Sequence, residues 1–347
     1  MKYIAYTLLT VTFLSTQCTT KKEKRVTDEE HPKEVVSDFT ITFGSCNRTR
    51  LENELWDDII AQNPNVWIWG GDNIYADADM DNMQKEYEKQ LANKNYQKLM
   101  EKTKIMGTWD DHDYGLNDGG VEFEKKKESQ QLFLDFMGVP RNDARREQEG
   151  VYYSETFKMK EGTVKIIVLD TRYFRTGLTR DTETDKRYKP NEHDNGTILG
   201  VQQWTWLEKE LKTSEADFNI IVSSIQVLSD KHGYESWGNF PNEIEKLTKL
   251  VSSSEAKGVI VLSGDRHISD FSGTAVFGMD YPLIDFTSSG LTHSATVNTG
   301  EENPYRIGEL VNQKSFGVLR IDFDTKSVLM EMRGDRDTIY QRFTQRY

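Results

Sequence analysis

The chain has 347 residues, a net charge of −13, and 36% hydrophobic and 11% aromatic residues. That composition excludes a disordered chain, and the negative charge opposes non-specific binding to nucleic acid or to an anionic membrane. The cysteines, Cys18 and Cys46, are too few for a disulfide framework.

The first segment reads as a targeting signal. Lys2 precedes a mostly apolar stretch, Ile4 to Leu14, which is too short for a membrane span. Leu14-Ser15-Thr16-Gln17-Cys18 resembles a bacterial lipobox, with Cys18 the residue expected to be lipidated. Gln17 departs from the usual small residue. The alternative, an ordinary secretory signal, equally implies export. Residues 19–37 are polar and charged and read as a flexible tether. One domain is expected over 38–347. Lipidation implies a bacterial outer-membrane protein, and the Lys-rich start after Cys18 favours the periplasmic face.

Strand-like runs are predicted at 39–43, 66–70, 104–108, 164–169, 219–224, 259–263, 282–287, 315–323 and 327–332. Helical spacing falls between them: Asn53 to Ala61, a long charged helix from Asp81 to Lys102, Lys125 to Met137, Gln202 to Leu211, and Asn242 to Val251. Arg175 to Gly200 has no regular pattern and reads as a loop over a site or a solvated insertion. The last two strands should form a hairpin across Asp322 to Lys326. Alternating strands and helices predict an α/β fold, an α+β sandwich with a two-sheet core flanked by helices.

Four of the strand runs end in metal-ligating residue types. The first leads into Gly44-Ser45-Cys46-Asn47 and the second into Gly71-Asp72-Asn73-Ile74-Tyr75-Ala76-Asp77. The third leads into Asp110-Asp111-His112-Asp113 and the fourth into Gly264-Asp265-Arg266-His267. Ligands bind beyond the carboxyl ends of strands in open α/β sheets, so these ends are expected to converge. A carboxylate such as Asp72 can bridge two cations or cap a helix. Adjacent carboxylates at 110–113 repel one another unless cations lie nearby. Asp265 and His267 alternate, as two residues on one face of a strand end do. Arg266 is either a phosphate partner or half of a surface ion pair. Thiolate, phenolate, imidazole and carboxylates together fit a two-metal hydrolytic site better than a structural zinc or a simple magnesium site. There is no phosphate-binding glycine loop, dinucleotide fingerprint or nucleophile elbow.

In that order, and joined by Leu169-Asp170-Thr171-Arg172, Leu199-Gly200 with Gln203, and Ser223-Ser224-Ile225-Gln226, the motifs resemble the PhoD-type alkaline phosphatases of the metallophosphoesterase superfamily. The resemblance runs from about Thr40 to Leu291. It implies that Cys46, Asp72, Tyr75 and His267 hold Fe3+. Asp72 would bridge to Ca2+, with Asp265 and Asp111 as further ligands and Asn117 or Asp118 as alternatives. His112, oriented by Asp113 or another carboxylate, would act in catalysis with Asp72. Asn47 and Arg172 would contact phosphate. Two departures are noted: no β-rich segment precedes the Ser-Cys motif, and the tail after Arg320 leaves little room for a capping helix. Both bear on the entrance and hence on substrate preference, and an entrance without a capping helix would admit a diester.

The expected function is hydrolysis of phosphate esters by in-line attack of a metal-held hydroxide. Monoesters, diesters and a phospholipase D-like diesterase all remain open. The expected partners are a phosphate-ester substrate and a membrane through the lipid anchor, with no nucleic-acid binding beyond a possible substrate; the sequence leaves the oligomeric state open and favours a monomer. A rival of another class is a non-catalytic surface lipoprotein that binds a partner or glycan through exposed Trp204, Tyr234 and Trp237.

Overall fold

A computed structural model describes Met1 and residues 37–295 and 301–347. The lipobox, Cys18 and the tether as far as residue 36 lie outside the described residues. The compact unit is Val36–Tyr347.

The central strands are apolar on both faces, and that decides the architecture. In chain order they are β1 (Phe39–Gly44), β2 (Val66–Gly70), β3 (Lys104–Thr108), β4 (Tyr153–Lys158), β5 (Thr163–Val168), β6 (Thr179–Arg180), β7 (Tyr188–Lys189), β8 (Phe218–Val222), β9 (Val259–Ser263), β10 (Ser269–Thr274), β11 (Leu283–Ser288), β12 (Arg306–Val311), β13 (Phe316–Asp322), β14 (Ser327–Arg333) and β15 (Ile339–Arg346). The helices are α1 (Trp56–Ala61), α2 (Met80–Leu91), α3 (Lys94–Met100), α4 (Asp111–Tyr114), α5 (Lys126–Phe136), α6 (Gly200–Lys212) and α7 (Pro241–Ser253).

Two large sheets result, ordered β15-β14-β13-β1-β2-β3 and β12-β10-β11-β9-β8-β5-β4. Alternation assigns the side chains. Phe39, Ile41 and Phe43 of β1 and Val66 and Ile68 of β2 join Val164, Ile166, Ile220, Ile260 and Leu262 in the core shared by the two sheets. Trp67 and Trp69 point the other way and pack with Trp56 and Tyr96 of α1 and α3. On the second sheet, Ile167, Ile221 and Val261 turn outward to Trp204, Leu207 and Leu211 of α6 and Leu247 of α7. The result is two sheets face to face with helices on both outer sides.

Topology aims the site. β1, β2 and β3 run parallel in one sheet, and β5, β8, β9 and β11 run parallel in the other. The carboxyl ends of the two parallel sets are brought to one end of the sandwich. Glycine permits the approach. A Cβ on Gly71, which has a φ of 98°, would lie 2.5 Å from Asp110 Cβ, and one on Gly264 would lie 2.7 Å from the Gly70 carbonyl.

Several sequence expectations change. The helix expected over 81–102 is two helices, because the Asn93 side chain accepts from Asn95 N and Tyr96 N and starts α3 afresh. The hairpin of β13 and β14 is extended by β15 rather than ending the sheet. The stretch after Arg175 carries the short β6–β7 pair. Trp204 and Trp237 are buried, and only Tyr234 of the three aromatics is exposed. Among the described residues no helix is long and apolar enough to cross a membrane.

Candidate metal centre

Cys46 follows β1 with φ 62°, Asp72 follows β2 with φ 49°, and Asp265 and His267 follow β9 with φ 71° and 56°. Left-handed backbone is uncommon for residues other than glycine, and it clusters where surrounding structure over-determines a functional geometry. Here it turns each side chain back across the strand ends. Cys46 Sγ lies 3.6 Å from Asp72 Oδ2 and 3.1 Å from Ser289 Oγ. Tyr75 Oη lies 3.2 Å from His267 Nε2. Ser289 also accepts from the His267 backbone N–H at 2.8 Å, so one hydroxyl positions two candidate ligands.

The third strand end winds into the one-turn helix α4. Asp113 Oδ1 accepts from the Asp110 backbone N–H at 2.6 Å and closes that turn. Asp111 Oδ2 accepts from Asp118 N at 2.8 Å, and Asp72 Oδ1 accepts from His112 N at 3.3 Å. Asp110 Oδ1 accepts from Arg172 Nε and from Ser224 Oγ, both at 2.6 Å.

Three groups place ligand atoms within 4.8 Å of one another: Cys46 with Asp72 and His267, Asp72 with Asp111 and His112, and Asp110 with Asp111 and Asp265. Asp72 belongs to the first two and Asp111 to the last two, so the groups form one continuous cluster. Electrostatics show what the protein chain leaves unbalanced. Burial, then the charges of Asp111, Asp110, Asp113 and Asp265, pushes the Asp72 carboxyl well up. Burial likewise raises Cys46 and Tyr75, with Asp72 adding to both. Asp113 is raised to about 7, by burial first. Burial acts upward on Asp111 too, but the Arg172 guanidinium and His112 outweigh it and hold that carboxyl low. Asp110 Oδ2 and Asp111 Oδ1 are buried without a hydrogen-bond partner among the described residues. Orphaned buried carboxylate oxygens beside a thiol, a phenol and an imidazole are a donor set that fits cations.

Not every sequence candidate reaches this cluster. Arg172 is fully buried and bridges Asp110 at 2.5 Å and Glu235 at 2.6 Å. Arg175 bridges the other oxygen of Glu235 at 2.8 Å. Arg172 therefore stands behind the carboxylates and not in front of them, where a phosphate would lie. Asn47 is also buried; its amide donates to Asn73 O and Gln90 Oε1. Arg266 is bound to Glu301. Asp118 pairs with Arg187 and Tyr188, while Asn117 is exposed.

Other residues enter that the sequence reading passed over. The carboxylate that orients His112 is Asp77, whose Oδ1 lies 2.7 Å from Nδ1; Asp113 is occupied inside the turn. His293 Nε2 is 3.4 Å from Tyr75 Oη, and its ring lies 4.4 Å from that of His267. Burial and His267 lower its pKa to about 3. His293 and Ser289 follow β11, a predicted strand whose end holds no carboxylate or thiol. Extending the search to every strand end, with Ser and His at a short distance beyond it, would have reached them.

Two mixed sheets packed face to face, with groups that could hold metal ions gathered at their shared end, define a sandwich with a candidate metal centre. Residues 41–330 match the family described as PhoD-like phosphatase, and the chain belongs to that family. Alkaline phosphatase D of Bacillus subtilis (strain 168) is 27% identical over 158 residues, covering 40% of this chain and 27% of that protein's length. A solved structure of PhoD superposes with a TM-score of 0.73 at 17% identity, covering 90% of this chain and 70% of that one, which is a likeness of fold.

Proposed function

We propose that this chain hydrolyses phosphate esters at a two-cation centre. The observation that carries the reading is the continuous ligand cluster, with Asp72 and Asp111 shared between its groups. Family membership supports it. The finer assignment is Fe3+ held by Cys46, Asp72, Tyr75 and His267, and Ca2+ held by Asp72, Asp111 and Asp265, with Asp110 at its edge. Such cations, when bound, would activate a water molecule and offset charge growing on the phosphoryl oxygens.

The chain's own residues do the rest. Asp77 fixes His112 through Nδ1, which leaves Nε2 to give a proton to the leaving oxygen. The Tyr75 ring packs against the His112 ring, tilted by 34° at a centroid distance of 4.2 Å, and limits its rotation. His293, 3.4 Å from the Tyr75 hydroxyl, adds a polar nitrogen on the same wall.

Removing cations with a chelator should abolish turnover of nitrophenyl phosphate and of its bis-ester, and readdition should restore it. Undiminished turnover by protein shown by elemental analysis to be cation-free would contradict the proposal. A ferric phenolate should colour the protein, and Tyr75→Phe should remove that band. A colourless protein containing zinc alone would overturn the iron assignment and leave hydrolysis standing.

Export as an outer-membrane lipoprotein facing the periplasm belongs to the same proposal and rests on the sequence around Cys18. Cys18→Ser should abolish labelling by a fatty-acid probe and release the protein from the membrane fraction.

A further inference from the structure

Next to the cation cluster lies a cavity of about 350 Å³ whose walls include Arg48, Arg50, Tyr75, Asp77, Glu86 and His112. Two of these residues, Tyr75 and His112, belong to the centre already described. Arg48 and Arg50 line the same cavity and belong to none of the ligand groups. The volume falls in the range of small-molecule pockets and exceeds what a single phosphoryl group fills.

The arginines of this region divide sharply. Arg172 and Arg175 are fully buried and spent on Asp110 and Glu235. Arg187 is bound to Asp118 and Arg266 to Glu301. Arg48 and Arg50 enter no ion pair among the described residues. Arg48 is nonetheless held in place. Its backbone N–H donates to Thr292 Oγ1 at 2.8 Å, and its guanidinium sits 4.7 Å from the Tyr75 ring centroid. Its Nε is buried without a hydrogen-bond partner among the described residues. A fixed guanidinium with unspent donors is suited to a carboxylate or phosphate. Two acids share the cavity. Asp77 is committed to His112. Glu86 offsets at most one of the two guanidinium charges.

We propose that Arg48 and Arg50 hold a second anionic group, a phosphate or carboxylate carried by the leaving portion of the substrate. The preferred substrates are then esters or anhydrides of phosphate whose departing fragment is itself an anion. The assignment rests on the phosphoesterase reading. The scissile phosphoryl group would lie against the residues that would hold the cations, with the leaving oxygen on the side of His112, which also lines the cavity, so whatever lies beyond that oxygen would enter it. Water oxygen bonds to phosphorus and gives up a proton to solvent, the bond from phosphorus to the leaving oxygen breaks, and that oxygen takes the His112 proton, which solvent then restores. The released anion stays paired with the arginines until it departs.

The full-length, cation-loaded protein would be assayed for phosphate release from adenosine 5′-diphosphate and adenosine 5′-monophosphate, with nitrophenyl phosphate alongside. The two nucleotides share a nucleoside and differ in whether the leaving fragment is charged. Arg50→Gln and Arg48→Gln should each lower the diphosphate-to-monophosphate ratio of kcat/KM by about tenfold, the scale of one lost charge-assisted hydrogen bond. Methylenediphosphonate, which is not hydrolysed, should bind the wild type more tightly than phosphate does, and lose that advantage in both variants. Equal losses on the two nucleotides would place the arginines on the scissile phosphate and overturn the proposal. An unmoved ratio, or a diphosphonate advantage that survives both substitutions, would also overturn it. Failure of wild type on all three substrates would instead sink the phosphoesterase reading.

Discussion

The two halves of the ligand cluster are built by opposite means. Cys46, Tyr75 and His267 are donors without a permanent charge, and a single hydroxyl, that of Ser289, positions Cys46 and His267. Asp110, Asp111 and Asp265 are like charges crowded together, and they need a buried counter-charge behind them. Arg172 supplies it, locked in turn by Glu235 and Arg175. Neutral donors can be arranged by a light scaffold, whereas packed carboxylates recruit a buried ion network. Asp72 of the first half meets Asp111 of the second in the group the two share with His112.

The comparison can be broken from either side. The largest effect is expected at the shared wall. His112→Ala should lower kcat by about 10²- to 10⁴-fold, the span of a general acid. Asp77→Asn should cost about 10- to 100-fold, as loss of an orienting partner does. Steady-state kinetics on nitrophenyl phosphate check both, and an Asp77→Asn enzyme as fast as wild type would detach Asp77 from the reaction.

Arg172→Met attacks only the carboxylate half. It leaves Asp110 and Glu235 buried without their cation, so unfolding should be easier by about 3–5 kcal/mol. Elemental analysis should show the cation of that half lost before the one held by Cys46 and Tyr75. Equal loss of both would erase the distinction between the halves.

The effect felt least near neutral pH separates acid lability of the fold from acid lability of the cluster. Burial, aided by the Arg266 charge, lowers His232 to about 3. The unfolded chain, with an ordinary histidine pKa near 6.5, binds the extra proton first. His232 therefore contributes stability that is complete above about pH 6.5 and is lost as pH falls towards 3, by at most ~1.4 kcal/mol per pH unit. His232→Gln should flatten the fall in melting temperature across that window, measured in chelator so that cation loss is held constant. An identical slope in wild type and variant would assign the acid lability elsewhere.

The strands with two apolar faces were legible because they read as continuous hydrophobic runs. β1, β2, β5, β8 and β9 each lie within two residues of their expected limits. Besides the two-residue β6 and β7, the strands that were missed, β4, β10, β12 and β15, carry polar side chains at alternate positions or at the rims of the sheets, as in Tyr153–Lys158 and Ile339–Arg346. Within the site, the strand ends pointed to four clusters, the family resemblance picked Cys46, Asp72, Tyr75, Asp111, His112, Asp265 and His267 from them, and the fold brings these seven to one end. Three-dimensional pairing was not legible. Arg172 looked like a free cation because the sequence does not show Glu235 or Asp110 closing on it. Arg48 and Arg50 looked unremarkable because their lack of partners exists only in the folded chain. The left-handed backbone at Cys46, Asp72, Asp265 and His267 was equally hidden, since only Gly announces such a conformation in sequence.

Asp72→Asn puts the central claim at greatest risk. The substitution keeps the side-chain shape and removes the charge and one oxygen from the residue through which the first half meets the second. Turnover of nitrophenyl phosphate should fall by about a thousandfold or more, several kcal/mol of lost charge stabilisation, and the bound cations should drop below two per chain. Near-wild-type turnover with both cations still bound would contradict a shared two-cation centre.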